Sequence, residues 1–128
     1  MNTAVIFLGS NIAARANIEQ AKKLLGGMYK ILAQSRFIYT PAFDGDPQPD
    51  FLNGAILLET VLEFDNFKKE LKKIETQLGR ERSTPKFAPR TMDIDIIVWN
   101  NKIIHQDFYE RDFLRELVSK VFPNSAPN

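Results

Sequence analysis

Residues 92–99, Met-Asp-Ile-Asp-Ile-Ile-Val-Trp, decide the fold. Met92, Ile94, Ile96 and Val98 alternate with Asp93, Asp95, Ile97 and Trp99, the two-residue period of a β-strand. Asn100-Asn101 follows as a hairpin turn into a short strand over 102–104. Asp107 with Glu110 then caps a last helix bearing Leu114, Leu117, Val118 and Val121 on one face.

Toward the N-terminus, Phe67, Leu71, Ile74 and Leu78 recur at helical spacing between Asp65, which can cap the helix, and Gly79, which closes it. Phe51 to Leu62 reads as a strand. Met28 to Tyr39 holds no helical start or stop, and Ile31, Ala33, Phe37 and Tyr39 on one side of a period of two predict a single long strand. Asn17 with Gln20 resembles a capping box ahead of the stripe Ile18, Ala21, Leu24 and Leu25, with Gly26-Gly27 as the stop. Residues 3–8 are apolar without alternation, as in a strand covered on both faces, and Gly9-Ser10-Asn11 ends it. Two irregular proline-containing loops remain, Pro41–Pro49 and Arg80–Arg90. The fold class that follows is α+β: a ferredoxin-like βαββαβ antiparallel sheet with helices on one face, plus a C-terminal hairpin strand and helix. This layout leaves the other sheet face open to a ligand, near both loops.

A length of 128 residues, 44% apolar and 26% charged, predicts one domain over residues 1–128 with a sizeable core. There is no cysteine, which excludes disulfides and thiolate metal sites. The apolar start is too short for a signal sequence or a membrane span, so a cytoplasmic protein is expected, without membrane partners. A net charge of +1 provides no global field to gather nucleic acid. Any anion must be held by local arrangement.

Such an arrangement lies next to the deciding strand. Asp93 and Asp95 leave the same strand face with Cα atoms roughly 6.6 Å apart, a spacing at which two carboxylates can bridge hard cations such as Mg²⁺. Arg80, Arg82 and Arg90 bracket the loop before them, and guanidinium forks suit phosphate oxygens. The plainer alternatives are a solvated strand face and surface ion pairs. No glycine-rich phosphate loop occurs, so side chains and metals would hold a nucleotide. Around the first loop, Thr40, Pro41, Phe43, Phe51 and Asn53 could converge on a flat heterocycle, or the aromatic residues could simply anchor the loop to the core. His105 is the sole histidine and has no partner at catalytic spacing.

The blocks Gly9-Ser10-Asn11, Thr40-Pro41, Pro49-Asp50-Phe51-Leu52-Asn53, Gly79-Arg80-Glu81-Arg82 and Phe87-Ala-Pro-Arg-Thr-Met-Asp-Ile-Asp-Ile96 together resemble the 6-hydroxymethyl-7,8-dihydropterin pyrophosphokinase family, in register from Val5 to about Trp99. The resemblance implies a ferredoxin-like fold and a monomeric enzyme, with reduced pterin and ATP as small-molecule substrates. ATP would give its β,γ-pyrophosphoryl group to the pterin hydroxymethyl oxygen with the help of two Mg²⁺ ions, releasing AMP. It implies that Asp93 and Asp95 ligate both metals, that Arg82 and Arg90 hold phosphates, and that Arg80 closes in with its loop. Ile96, His105 and Arg111 would meet ATP. Thr40, Pro41, Phe43, Phe51, Asn53 and Phe113 would line the pterin slot. His105, Arg111 and Phe113 keep the spacing of the family's His-x5-Arg-x-Phe element. Phe51 stands where the family often has Tyr and Phe87 where it usually has Trp, and after Trp99 the chain is shorter than typical members. Two rivals are a catalytically impaired relative that still binds pterin or nucleotide and, more remotely, an RNA-binding ferredoxin-like module.

Overall fold

A computed structural model describes residues 1–41, 48–79 and 92–122. The strands are β1 (Asn2–Ser10), β2 (Lys30–Gln34), β3 (Ile38–Thr40), β4 (Phe51–Thr60), β5 (Asp93–Trp99) and β6 (Lys102–Ile103). The helices are α1 (Ala14–Met28), α2 (Phe64–Gln77), α3 (Asp107–Glu110) and α4 (Asp112–Ser119). The sheet runs β2-β4-β1-β5-β6, antiparallel throughout, with β3 also paired to β4. This is the mixed α+β, split βαβ arrangement expected from the sequence.

β1 sits at the centre because it can be buried on both faces. Ala4, Ile6 and Leu8 pack under α1 and α2 with Ile18, Leu25, Phe67, Leu71 and Ile74. Val5 and Phe7 point the other way, into a second core with Phe108, Leu114, Leu117 and Val118. The second sheet face is therefore partly covered rather than open. The cause is the apolar stripe of α4, which has nowhere to bury except against β1 and β4.

Local expectations change at several points. Gly9 and Ser10, expected in the turn that ends the first strand, are paired residues of β1, and α2 starts at Phe64 behind Glu63, so Asp65 lies in its first turn and does not cap it. The stretch from 28 to 39 is broken: β2 and β3 pair with the two ends of β4, and a register shift between Ile31 and Ala33 turns their side chains to opposite cores. The break is pinned by Ser35, whose N–H donates to the Ala55 carbonyl and whose Oγ accepts the Ala55 N–H, each at 2.9 Å. α1 begins a turn earlier than the Asn17 capping box implies, after Ala13 at φ 42°, and Asn17 Nδ2 donates to the Ile12 carbonyl at 2.6 Å. It also runs through Gly26 and Gly27, ending at Met28. The alternation of β5 breaks at a bulge, because Val5 pairs with Val98 and Ile6 with Ile96, leaving Ile97 extra. Ile97 and Val98 thereby both enter the second core, while Trp99 packs on Phe64 and Phe67 of α2 at centroid distances of 5.4 and 5.8 Å. The C-terminal helix is split into α3 and α4 at Arg111, whose φ of −122° is extended. The Asn100-Asn101 turn, by contrast, has positive φ at both residues, the conformation a two-residue hairpin needs. Among the described residues no helix is long and apolar enough to cross a membrane.

Candidate active site

Three strands place the chemistry in one row. Gly9 of β1 pairs with Asn53 of β4 on one side and Asp93 of β5 on the other. The next row on the same face is Ala55, Phe7 and Asp95. Because Phe7 and Ala55 belong to the α4-side core, strand alternation puts Asn53, Gly9, Asp93 and Asp95 on that face as well. Gly9 has no side chain, so between the amide and the first carboxylate lies a bare floor two strand spacings, roughly 10 Å, across.

Polar contacts fix one wall of this floor. Asn53 is buried and its Nδ2 donates to Thr40 Oγ1 and, at 3.3 Å, to the Phe51 carbonyl. Thr40 and Asn53, separate blocks in the sequence, are thus one unit, and Pro41 continues the chain from it. Asn11 Nδ2 donates to Gln48 Oε1 at 2.7 Å and to the Pro49 carbonyl at 3.0 Å, tying the end of β1 to the entry of β4. Phe51 borders the floor on the Asn53 side: its Cδ1 lies 3.8 Å from where a Cβ on Gly9 would stand. On the α4 side, Phe113 tilts against Phe7 with centroids 6.1 Å apart.

The other wall is acidic. The Asp95 side chain is 39% exposed, and His105 Nε2 lies 4.0 Å from its Oδ1. Asp107 donates its backbone N–H to His105 Nδ1 at 3.1 Å, so Nδ1 is the acceptor and the ring hydrogen of the neutral imidazole sits on Nε2. His105 therefore turns an N–H toward the acidic pair, a group that suits an anion. Asp107 Oδ2 also lies 3.6 Å from Arg111 Nε. Asp107, read in the sequence as a helix cap, thus holds both neighbours; its i,i+4 spacing to Arg111 is a sequence signal, whereas its backbone contact with His105 is not. Asp95, His105 and Asp107 approach one another closely enough to hold an ion. With the imidazole hydrogen on Nε2, however, the oxygens of Asp93 and Asp95 are the donors that suit a hard divalent cation such as Mg²⁺.

Behind the acidic pair, a cavity of about 370 Å³ opens between α2 and the outer edge of β5. β6 pairs with Val98 and Trp99, and the Ile104 N–H donates to the Ile97 carbonyl at 2.9 Å, so among the described residues strand pairing on this edge of β5 ends there. Its walls include Phe64, Lys68, Leu71, Ile96 and His105, and Asp93 and Asp95 line it as well. Glu75, buried in α2, accepts the Ile94 N–H at 2.7 Å and so fixes the strand between the two aspartates. Glu75 was not a candidate in the sequence, where it is one charge among many on α2. Arg80, Arg82, Arg90 and Phe43 lie outside the described residues.

Comparison with known proteins places this geometry. Residues 5–123 match the family described as 7,8-dihydro-6-hydroxymethylpterin-pyrophosphokinase (HPPK). The chain is 32% identical to the 2-amino-4-hydroxy-6-hydroxymethyldihydropteridine pyrophosphokinase of Haemophilus influenzae, over 98% of this chain and 88% of that protein. It is 36% identical to the protein of the same name from Helicobacter pylori, over 83% of this chain and 68% of that one. A folate synthesis bifunctional protein of Arabidopsis thaliana is 34% identical over 86% of this chain, which corresponds to only 25% of that longer protein. A match spanning nearly the whole chain, on a sheet that aligns an amide, a bare floor and two carboxylates, is decisive: the chain belongs to the 7,8-dihydro-6-hydroxymethylpterin-pyrophosphokinase family.

Proposed function

We propose that the chain transfers pyrophosphate from ATP to 6-hydroxymethyl-7,8-dihydropterin, with the pterin over the Gly9 floor and the nucleotide entering from the cavity at the β5 edge. The observation that carries this reading is the position of Asp93 and Asp95, which border both spaces at once. A flat ring between Asn53 and the acidic pair presents its substituent to whatever lies at Asp93 and Asp95. Phe51 and Phe113 supply apolar surface for the ring, and Asn53 and Thr40 supply the polar edge. On the nucleotide side, the apolar walls of the cavity take the base. The outward backbone edge of Ile96 offers it a donor and an acceptor.

The hydroxymethyl oxygen attacks the β-phosphorus of ATP, the bond from that phosphorus to the α,β-bridging oxygen breaks, and AMP leaves as the pterin diphosphate forms. The hydroxyl proton is lost to solvent or phosphate. His105 Nε2–H and the guanidinium of Arg111 are donors for phosphate oxygens, and the family resemblance gives Arg80, Arg82 and Arg90, which precede β5 in the sequence, a part in the same task. Asp93 and Asp95 would hold Mg²⁺, which when bound offsets phosphate charge and fixes the polyphosphate. The protein's share is positioning and charge complementarity.

The test is AMP release from ATP and Mg²⁺ in the presence and absence of 6-hydroxymethyl-7,8-dihydropterin, for the natural chain and Asp95→Ala. Pterin-dependent AMP from the natural chain, lost by about a hundredfold or more in the folded variant, is expected. Undiminished AMP release from Asp95→Ala would overturn the assignment of the acidic pair. A folded natural chain that binds both substrates without releasing AMP would instead make it an impaired relative.

A further inference from the structure

The floor between Asn53 and Asp93 exists only because position 9 is glycine. A Cβ there would stand 2.7 Å from Asn53 Oδ1, so the Asn53 carbonyl oxygen fills the volume that any other residue would claim. The opposite end of the same amide is anchored: Nδ2 gives its hydrogens to Thr40 Oγ1 and to the Phe51 carbonyl. With the nitrogen committed, the oxygen leaning over Gly9 is what the amide has to offer a ligand, and an amide so held is an acceptor only.

We propose that Gly9 is a specificity-determining residue: its missing side chain lets Asn53 hold its carbonyl oxygen over the floor as an acceptor for an N–H edge of a flat heterocycle. The ring is thereby given a direction. Its N–H edge lies at Asn53 and its opposite end lies toward Asp93, two strand spacings away. A Cβ at position 9 swings the amide out, releases the Thr40 anchor and removes that direction. This deepens the reading of the floor as the pterin slot and rests on it.

The obstruction to a larger residue is the end of a side chain rather than backbone, so Gly9→Ala folds at the expense of the Asn53 orientation. The experiment measures the Kd of 6-hydroxymethylpterin by fluorescence and the Kd of a non-hydrolysable ATP analogue with Mg²⁺ by calorimetry. The variants are Gly9→Ala, Asn53→Ala and the double variant. Expected are a loss of pterin affinity of about tenfold for Gly9→Ala, the scale of one hydrogen bond to a ring donor, and less than about twofold for the nucleotide. The double variant binds pterin no more weakly than Asn53→Ala alone, since both changes remove the same contact. Thr40→Val, which frees the amide without adding an atom over the floor, weakens pterin binding in the same non-additive way and serves if Gly9→Ala does not fold.

Natural pterin affinity in a folded Gly9→Ala, with Asn53→Ala defective, overturns the role of Gly9. Additive losses overturn it as well, because Gly9 would then act by a route other than Asn53. Natural pterin affinity in Asn53→Ala is a different failure: it removes the floor as the pterin slot and the inference with it.

Discussion

Glu75 accepts the backbone N–H of Ile94 at 2.7 Å, and Ile94 separates Asp93 from Asp95. One helix carboxylate thus sets the height of the strand that carries both acidic residues. Glu75→Ala leaves the buried Ile94 N–H without that acceptor, a loss of about 1–3 kcal/mol. Glu75→Gln keeps an acceptor oxygen. Thermal unfolding should show Glu75→Ala lowered by several degrees, with reduced AMP release, and Glu75→Gln much closer to the natural chain. Equal melting of Glu75→Ala and the natural chain would show that the strand holds its place without this contact.

Phe113 has two neighbours in prospect, Phe7 in the protein and the pterin over the floor. Its tilted contact with Phe7, at 6.1 Å between centroids, is of the kind worth about 0.5–1.5 kcal/mol beyond area burial. Phe113→Ala should therefore lower stability modestly and raise the KM for the pterin by about tenfold, while the KM for ATP moves little. A larger effect on ATP than on pterin would place Phe113 on the nucleotide side instead.

His105 is predicted to be the Nε2–H tautomer because the Asp107 N–H donates to Nδ1 at 3.1 Å. Nitrogen NMR of the neutral imidazole reads this directly, with a pyrrole-type signal for Nε2 and a pyridine-type signal for Nδ1. The reverse assignment would make Nε2 a lone-pair donor and move His105 from the phosphate side of the site to the metal side. In the predicted state, His105→Ala should raise the KM for ATP and leave the pterin KM nearly unchanged.

The elements were readable from the sequence wherever one periodicity dominated, as in α2 with Phe67, Leu71 and Ile74, and in β5 up to Ile96. Legibility failed where tertiary packing set the local geometry. The Ile97 bulge puts both Ile97 and Val98 into the second core and turns Trp99 to the first, an arrangement that no local pattern encodes. The break at residues 35–37 lets two short strands share β4, and it too is a property of the partner strand. Within the candidate site, the Asp-x-Asp pair was visible because strand alternation alone puts both carboxylates on one face. Glu75 and Asp107 were not, since each acts by accepting from or donating to a residue whose place is known only after folding. Gly9 was read as a turn residue, whereas it lies within β1, and its role as a floor needs Asn53 beside it.

Tyr29 offers a test of the α1/α2 core that is independent of the active site. Its ring meets Phe67 edge-on at 5.2 Å, and its buried hydroxyl has no hydrogen-bond partner among the described residues. Burial, with a smaller contribution from the negative charge of Glu70, pushes the hydroxyl pKa from 10.0 up to about 12. The folded state therefore keeps this proton at pH values where the unfolded chain has lost it. Stability from this group is present below pH 10 and declines between about 10 and 12, by an amount on the order of 2 kcal/mol. Tyr29→Phe removes the orphaned hydroxyl while keeping the ring, so it should leave stability at neutral pH equal or slightly higher. It should also flatten the alkaline decline. Urea unfolding of both chains at pH 8 and pH 11 measures the two effects together. If Tyr29→Phe is markedly less stable at pH 8, the hydroxyl has a partner in solution and its burial is not a burden; if the alkaline decline is unchanged, another group produces it.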